Sequence, residues 1–313
     1  MSSILRYAAQ VEAQGKRQGA KRRAGKKPAV ALVGAGRLAG FLAPALVQAG
    51  YRITEIVARA GTGSMKPAQA LARRVGARAI TINRAALDAE VLWFAVPDGE
   101  IRQAAESLAR TAKALGPKSF RARFAFHSSG ALGSGELASL RNLGASVASV
   151  HPLMTFVQRS RPSLAGVPFA VEGDAAAIRV ARAMVRDLQS NSFVLPVRRK
   201  AAYHAWATMT SPLLLAYLVT LEKAARAAGL AGDKARQMSL PILRQTLENY
   251  GRLGPGNSFS GPFVRGDVET VAKHLALLKR DPKVRAVYAT LAWMALDVLP
   301  VRNRDELRSL LED

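Results

Sequence analysis

The chain has 313 residues, of which 49% are hydrophobic and 22% are charged, and this balance predicts folded domains rather than disorder. It contains no cysteine, which excludes disulfides, thiolate nucleophiles and zinc sites that need sulfur, and we predict no metal site. The excess of 46 Lys and Arg over 22 Asp and Glu gives a formal net charge of +24, which attracts phosphates, nucleic acids and other anions without distinguishing among them.

The N-terminal segment, residues 1–28, is a basic tail. It holds eight Lys and Arg against one Glu, and it has few large apolar residues. We interpret it as a disordered extension, and the alternative is that the tail contacts nucleic acid. The tail lacks the apolar run of a secretory signal, and residues 205–221 are too few and too polar to span a membrane. We therefore expect no membrane contact and a cytoplasmic location.

From residue 29 the pattern alternates short β-branched runs with helical stretches, which predicts a doubly wound α/β sheet of parallel strands of the Rossmann type. Because each run is nearly all apolar, we expect both faces of the sheet to be covered. Strands are predicted at 29–33, 53–58, 78–82, 91–95, 124–126, 146–150, 167–171 and 193–197. Helices are predicted at 38–49, 67–75, 99–115, 134–143 and 175–188.

The composition of the chain changes near residue 197. From Arg198 onward the sequence is rich in Ala and Leu, and Gly and Pro separate the helical runs. We therefore predict three segments. The tail covers residues 1–28, a Rossmann-like dinucleotide-binding domain covers 29–197, and an all-helical domain for substrate binding and dimerisation covers 198–313.

A glycine-rich turn follows the first predicted strand and has the GxGxxA form of the dinucleotide fingerprint. Gly34 permits the tight turn, Gly36 lets the backbone approach a diphosphate, and Ala39 lets helix and strand pack closely. The free N–H groups at the start of the helix then bind the negative charge. The sequence thus predicts a dinucleotide site formed by Gly34, Ala35, Gly36, Arg37, Leu38 and Ala39.

The residue after the second strand indicates which dinucleotide is bound. Sites for NAD have an acid about 20 residues after the fingerprint, whereas this chain has Arg59, followed by small and hydroxyl residues. Glu55 lies on the same strand but four residues too early. We therefore predict NADP (NADPH), with Arg59 at the 2′-phosphate; the alternative is that Arg59 points into solvent. Val96 and Pro97, after the fourth strand, are expected to border the nicotinamide ribose.

Reduction of a carbonyl or imine by a nicotinamide cofactor also needs a proton donor near the developing charge. We prefer His204, because it begins an apolar helix on which Thr208 and Ser211 continue a polar stripe. His127, which is followed by Ser128 after the fifth strand, is the second candidate. For both histidines the alternative is a structural hydrogen bond to a backbone carbonyl.

Three residues are candidates for binding the substrate, and Ser211 on the polar stripe is the first of them. Asn249 forms a second polar patch, and the alternative is that it caps a helix ending at Gly251. Arg265 could anchor a substrate carboxylate, and the alternative is a salt bridge that fixes its loop. Asp267 is predicted to be the N-cap of the helix that follows.

Five motifs resemble, in their residues and in their order along the chain, those of a bacterial family of Rossmann-like NADP oxidoreductases whose C-terminal half is domain of unknown function 2520. That family is similar in architecture to pyrroline-5-carboxylate reductase, the 6-phosphogluconate dehydrogenase superfamily and ketopantoate reductases. The resemblance implies a cofactor domain, a helical domain that often forms a homodimer, and a substrate cleft between them. The motifs are GAGRLA (34–39), AVPD (95–98), HSSGAL (127–132), SVHPL (149–153) and GPFVRGD (261–267).

One position departs from this family. Its members have Asn eight residues after a Tyr-His pair, whereas Pro212 stands at that spacing after Tyr203 and His204. The exchange removes an amide, and proline is expected to break the helix. The leading hypothesis is an NADP-dependent oxidoreductase that reduces a small oxo- or imino-acid. The alternatives are a non-catalytic NADP(H)-binding regulatory protein and a nucleic-acid-associated protein that acts through its tail.

Overall fold

A computed structural model describes residues 27–60, 63–113, 120–157, 160 and 163–312 of the chain. The predicted tail lies outside the described residues, apart from its last two positions. The chain divides into two compact units, with the division between Thr208 and Met209. The predicted boundary at residue 197 precedes the helix Lys200–Thr208, whose first residue is buried among side chains of the first unit. This burial places the helix with the sheet.

The first unit is built on an eight-stranded sheet. Its strands are β1 (Val30–Val33), β2 (Ile53–Ala58), β3 (Arg78–Thr81), β4 (Val91–Phe94), β5 (Phe124–His127), β6 (Ser146–Pro152), β7 (Pro168–Gly173) and β8 (Asn191–Val194). Their order is β3-β2-β1-β4-β5-β6-β7-β8. Neighbours pair in parallel, except that β6 and β7 are antiparallel. The predicted doubly wound fold is confirmed, and the expectation of a wholly parallel sheet is wrong at β7.

Helices cover both faces of this sheet. They are α1 (Arg37–Gln48), α2 (Met65–Val75), α3 (Ile101–Lys113), α4 (Ala138–Arg141), α5 (Ala175–Asp187) and α6 (Lys200–Thr208). The apolar stripes of α1, α2 and α5 bury one face, and those of α3 and α4 bury the other. Strands buried on both sides therefore read as continuous apolar runs, as β1 and β4 do.

The second unit is helical in its described part. After a π-helical turn (Met209–Leu213), it comprises α7 (Leu214–Ala225), α8 (Gly232–Ser258), α9 (Pro262–Arg265), α10 (Val268–Leu278), α11 (Pro282–Val298) and α12 (Arg304–Glu312). Its core lies between α10, α11 and α12. The side chain of Asp267 accepts a hydrogen bond from the Thr270 amide at 3.1 Å, which confirms it as the N-cap of α10. Nowhere in the described ranges is a helix long and apolar enough to cross a membrane.

The two predicted helix breaks have different outcomes. At Pro212 the α-helical ladder is interrupted as predicted, because α6 ends at Thr208 and a π turn that contains Pro212 precedes α7. The predicted break at Gly251 is three residues too early, because the backbone leaves the helical conformation at Gly254, where φ is 76° and ψ is 173°, and a short helical turn follows to Ser258. Asn249 is therefore inside a helix and is no cap.

Candidate active site and dinucleotide site

The glycine-rich loop between β1 and α1 has the geometry of a diphosphate cradle. Gly34 has φ of 101°, and a Cβ there would lie 2.7 Å from the carbonyl oxygen of Ala95, so glycine is required. Gly36 is the N-cap of α1, and Ala39 is fully buried beneath the sheet-facing side of that helix. The first N–H groups of α1 have no partner within their own helix. They can therefore bind an anion.

A cavity of about 330 Å³ adjoins this loop. It lies at the carboxyl ends of β1, β2 and β4, where the strand order reverses and doubly wound sheets bind their ligands. The walls combine apolar side chains with a few polar ones, as in small-molecule sites. The lining includes the predicted residues Gly34, Ala35, Gly36, Arg59, Val96 and Pro97.

The two remaining fingerprint residues have other surroundings. Arg37 lines a groove on the outer side of α1 together with Phe41 and Arg74. Leu38 packs against the core of the sheet, so its contribution to an anion site is its backbone amide. Glu55 is buried and pairs with Arg78 at 3.0 Å, which leaves it no part in ribose binding.

Arg59 takes part in an ion pair at this cavity. Its guanidinium lies 2.6 Å from Oε1 of Glu100, which is in the short 3-10 turn that follows β4. Both side chains line the cavity and are partly exposed, at 57% for Arg59 and 33% for Glu100. The predicted alternative, in which Arg59 only points into solvent, is wrong.

His127 is fully buried at the end of β5. Its Nδ1 accepts a hydrogen bond from the Ser129 amide at 3.2 Å, so Nε2 carries the proton and donates to the Gly133 carbonyl at 2.9 Å. Burial lowers the pKa of His127 to about 4. Because both ring nitrogens are used and the ring is neutral, His127 is structural, and its candidacy as proton donor is withdrawn in favour of the alternative.

The loop after β5 is fixed by further side-chain bonds. Ser128 accepts a hydrogen bond from the buried indole of Trp93 at 2.8 Å. The hydroxyl of Ser129 donates to Asp98 at 2.7 Å and accepts from the Leu132 amide at 2.9 Å. Asp98 therefore joins the loop that lines the dinucleotide cavity to the loop after β5.

Helix α6 brings a buried lysine to the ends of β5 and β6. The ammonium of Lys200 donates to the hydroxyl of Ser149 at 2.7 Å and to the carbonyl of Ser129 at 3.1 Å, and the side chain is 2% exposed. Burial lowers the pKa of Lys200 to about 8, and the charges of Glu172 and Asp98 oppose part of this shift. A buried cation at the end of two parallel strands is a feature that the sequence analysis missed.

Three aromatic side chains on α6 and β6, those of Tyr203, His204 and His151, contact one another. His151 Nδ1 lies 2.8 Å from the hydroxyl of Tyr203, and the His151 and His204 rings are 6.4 Å apart. A Cβ on Gly130 would come within 2.8 Å of both histidine rings, so glycine permits this close approach. His204 is half-buried, whereas Tyr203 is buried.

The protonation of this cluster follows from its burial. Burial and then the charge of Lys200 lower the pKa of His151 to about 4, so this ring is neutral near pH 7. Burial raises the pKa of Tyr203 to about 12, so its hydroxyl keeps its proton. The site therefore holds a neutral Tyr-His pair next to a cationic lysine.

The predicted polar stripe on this helix is interrupted. The hydroxyl of Thr208 donates to the carbonyl of His204 at 2.8 Å and so bonds back to its own helix. Ser211 follows in the π turn, where the α-helical spacing that would place it on the face of His204 no longer holds.

The other predicted substrate residues belong to the second unit. Asn249 accepts a hydrogen bond from Gln245 at 2.9 Å on the surface of α8. Arg265 is exposed at the end of α9, and among the described residues no carboxylate lies within salt-bridge distance of it. The roles of Asn249 and Arg265 in substrate binding stay predictions.

Low pH should lower the stability of the first, sheet-containing unit, because its buried histidines are neutral in the folded state. The folded-state pKa of His127 is about 4, below the ordinary 6.5, so the unfolded state binds more protons between these values and stability falls as pH drops from 6.5 to 4. When the pH falls from 7.5 to 5, the free energy of unfolding should fall by about 2 kcal/mol less in His127→Gln, which keeps a donor group, than in the wild type. Urea unfolding at both pH values measures this, and parallel losses would contradict the assignment.

Two family models match the chain. A Rossmann-like domain matches residues 14–152, and domain of unknown function 2520 matches residues 167–294. Curated protein sequences show no match to the chain. The first model covers β1 to β6, and the second covers β7, β8 and the helices as far as residue 294, in the order that the motifs predicted.

Solved structures share the fold at low sequence identity. A candidate NADP oxidoreductase from Bacteroides fragilis is 20% identical, with a TM-score of 0.68 over 92% of this chain and 99% of its own. A protein from Thermotoga maritima is 22% identical, with a TM-score of 0.65 over 90% and 98%. An imine reductase from Myxococcus stipitatus, solved with NADP⁺, is 14% identical, with a TM-score of 0.62 over 91% and 100%.

Proposed function

Because the chain matches a Rossmann-like domain followed by domain of unknown function 2520, we propose that it is an NADPH-dependent reductase of a small oxo- or imino-acid. The observation that carries the proposal is the loop at Gly34 and Gly36, which opens the N-terminus of α1 to a diphosphate beside a cavity of about 330 Å³. Neighbours of the same fold include NADP-bound imine reductase and pyrroline-5-carboxylate reductase.

The phosphorylated cofactor is favoured by the cation at the cavity. Arg59 presents a guanidinium at the end of β2, and its planar donors match a phosphate. The acid that would bind the ribose hydroxyls in an NAD site is absent from the end of β2, since Glu55 is paired with Arg78. NADPH is therefore our choice over NADH.

When bound, the reduced nicotinamide supplies a hydride to the carbon of the carbonyl or imine. The chain must supply the proton that ends on the oxygen or nitrogen. We assign this proton to His204, because its ring is half-buried and lies beside His151, whereas both nitrogens of His127 are already bonded.

The neighbours of His204 position it. Tyr203 holds His151 through a 2.8 Å hydrogen bond, and burial, together with the charge of Lys200, lowers the pKa of His151 and keeps its ring neutral. Ser128 and Ser129 fix the loop on which Gly130 leaves room for both rings.

Substrate binding is assigned to Arg265, Ser211 and Asn249 in the second unit. Arg265 is exposed, and a guanidinium binds a carboxylate in a bidentate manner, which favours an acid as substrate. The hydroxyl of Ser211 and the amide of Asn249 would supply neutral hydrogen bonds to the rest of the molecule.

Titration calorimetry and turnover test the proposal together. NADPH should release heat on binding, and NADH should bind more weakly. Consumption of NADPH is then followed with ketopantoate, pyrroline-5-carboxylate and a cyclic imine that has no carboxylate. Turnover of either acid in preference to the plain imine supports the substrate class. NADPH binding without turnover of any compound would instead favour the non-catalytic regulatory protein that Pro212 suggested.

We also propose a homodimer formed through the helical unit. Helix α7 buries none of its residues within the chain, and α8 buries only Ala235. Their apolar side chains are left exposed, including Leu215 at 63% and Ile242 at 68%. Uncovered apolar surface on this scale marks an interface. Sedimentation equilibrium should give twice the monomer mass, and a monomer at micromolar concentration would contradict the proposal.

A further inference from the structure

The ion pair between Arg59 and Glu100 connects two strand ends across the dinucleotide cavity. Arg59 follows β2 and Glu100 lies in the turn after β4, and these strands flank β1 on opposite sides. The pair, with its 2.6 Å separation, therefore lies at the part of the cavity that the sequence assigns to the adenosine ribose. A ligand phosphate that binds Arg59 must therefore displace the Glu100 carboxylate, which is already paired with the guanidinium.

The strength of this pair is suited to displacement. Both side chains are partly exposed, and ion pairs of this kind are weak because solvent screens them. A 2′-phosphate carries more negative charge than a carboxylate and can replace it on Arg59. The released carboxylate then stays near the phosphate, where like charges repel. A ligand with a 2′-hydroxyl in place of the phosphate neither has to displace the Glu100 carboxylate nor is repelled by it.

We propose that Glu100 is a specificity-determining residue that competes with the 2′-phosphate for Arg59 and so limits the preference for NADPH over NADH. The inference rests on the proposed function, because it assumes that the cavity takes the adenosine half of the cofactor. Arg59 attracts the phosphate and Glu100 opposes it, so the two residues together set the ratio of the two affinities.

The test uses two ligands that lack the nicotinamide ring. 2′-Phospho-ADP-ribose and ADP-ribose differ only in the phosphate that Arg59 binds. Glu100→Gln keeps the size of the side chain and removes its charge. We expect the variant to bind 2′-phospho-ADP-ribose about 5-fold more tightly in calorimetric titration, while its affinity for ADP-ribose changes by less than about 2-fold.

A matched control separates this effect from a general change in charge. Glu106 is exposed on α3, the helix that begins directly after Glu100, and does not line the cavity, so Glu106→Gln makes the same change in net charge elsewhere. Glu106→Gln should leave both affinities within about 2-fold of the wild type. Arg59→Ala should weaken 2′-phospho-ADP-ribose about 10-fold or more and barely change ADP-ribose.

The double variant shows whether the two residues act on each other. If Glu100 competes for Arg59, the gain from Glu100→Gln should be smaller in the Arg59→Ala background than in the wild type. Equal gains in both backgrounds, equal tightening of both ligands, or a loss of affinity in Glu100→Gln would overturn the inference. Wild-type protein that binds neither ligand would instead refute the proposed dinucleotide site itself, and the inference with it.

Discussion

Replacement of Gly36 by valine is expected to abolish dinucleotide binding and to leave the protein folded. Gly36 has φ of −75°, which any residue adopts, and a Cβ there would lie 3.7 Å from the nearest heavy atom, the carbonyl oxygen of Ala95. A branched side chain at the N-cap of α1 would nevertheless occupy the space that a diphosphate needs. We expect NADPH affinity to fall at least 100-fold, about 2.7 kcal/mol, in calorimetric titration.

Gly40→Ala is the matched control for this variant. Gly40 lies one turn further along α1, and a Cβ there meets no atom within 4 Å. Its affinity for NADPH should equal that of the wild type, and its melting temperature should be the same or slightly higher, since alanine favours helices. A folded Gly36→Val protein that binds NADPH normally would show that the diphosphate lies elsewhere.

His204→Ala should lower turnover strongly and cofactor affinity little. A positioned proton donor contributes a factor of about 10²–10⁴ to the rate, so we expect kcat to fall at least 100-fold. The Kd for NADPH should stay within about 3-fold of the wild type, because His204 lies on α6 and outside the lining of the dinucleotide cavity. Steady-state kinetics with the best substrate of the panel and calorimetry on the same samples give both quantities.

Thr208→Ala serves as the control on the same helix. The Thr208 hydroxyl bonds to the carbonyl of His204 and has no second partner within the described part of the chain, so its loss should change neither kcat nor NADPH affinity by more than about 2-fold. If His204→Ala retains full turnover, the proton comes from another group. Tyr203 would then be the next residue to replace, because it bonds directly to His151.

The order of strands and helices could be predicted because each element carries a local pattern. β1 and β4 are short, wholly apolar runs, and α1 begins at the glycine fingerprint. The direction of β7 could not be predicted in this way. Its alternation is the same whichever way it runs, and its pairing with β6 depends on how the chain returns to the sheet.

The dinucleotide loop was similarly accessible from sequence, because the roles of Gly34, Gly36 and Ala39 are local backbone requirements. The cluster of Lys200, His151, Tyr203 and His204 was only partly accessible from sequence. Lys200 ends a run of three basic residues and resembles a surface charge, and only its packing against Ser149 shows that it is buried. A lysine four residues before His204 on a helix was the available signal.

For His127 the position in the sequence indicated chemistry, whereas the structure gives the ring a structural role. A histidine at the carboxyl end of a buried strand has the correct position for chemistry, and nothing in its neighbours reveals that its ring turns inward to the Gly133 carbonyl. Glu100 was also passed over, since its partner Arg59 is 41 residues away in the chain. Pairs of this kind depend on the crossover between β2 and β4, which the sequence places only in outline.

The π turn at Met209–Leu213 amounts to one extra residue within a continuous helix. Because an α-helix advances about 100° per residue, this insertion rotates every later side chain by roughly that angle about the axis. In a relative whose helix has no π turn, the residue on the same side of the helix axis as Pro212 is therefore not the one at the same count from His204. Deleting one residue within the turn should restore the α-helical spacing of the backbone there, a change that point substitutions cannot produce.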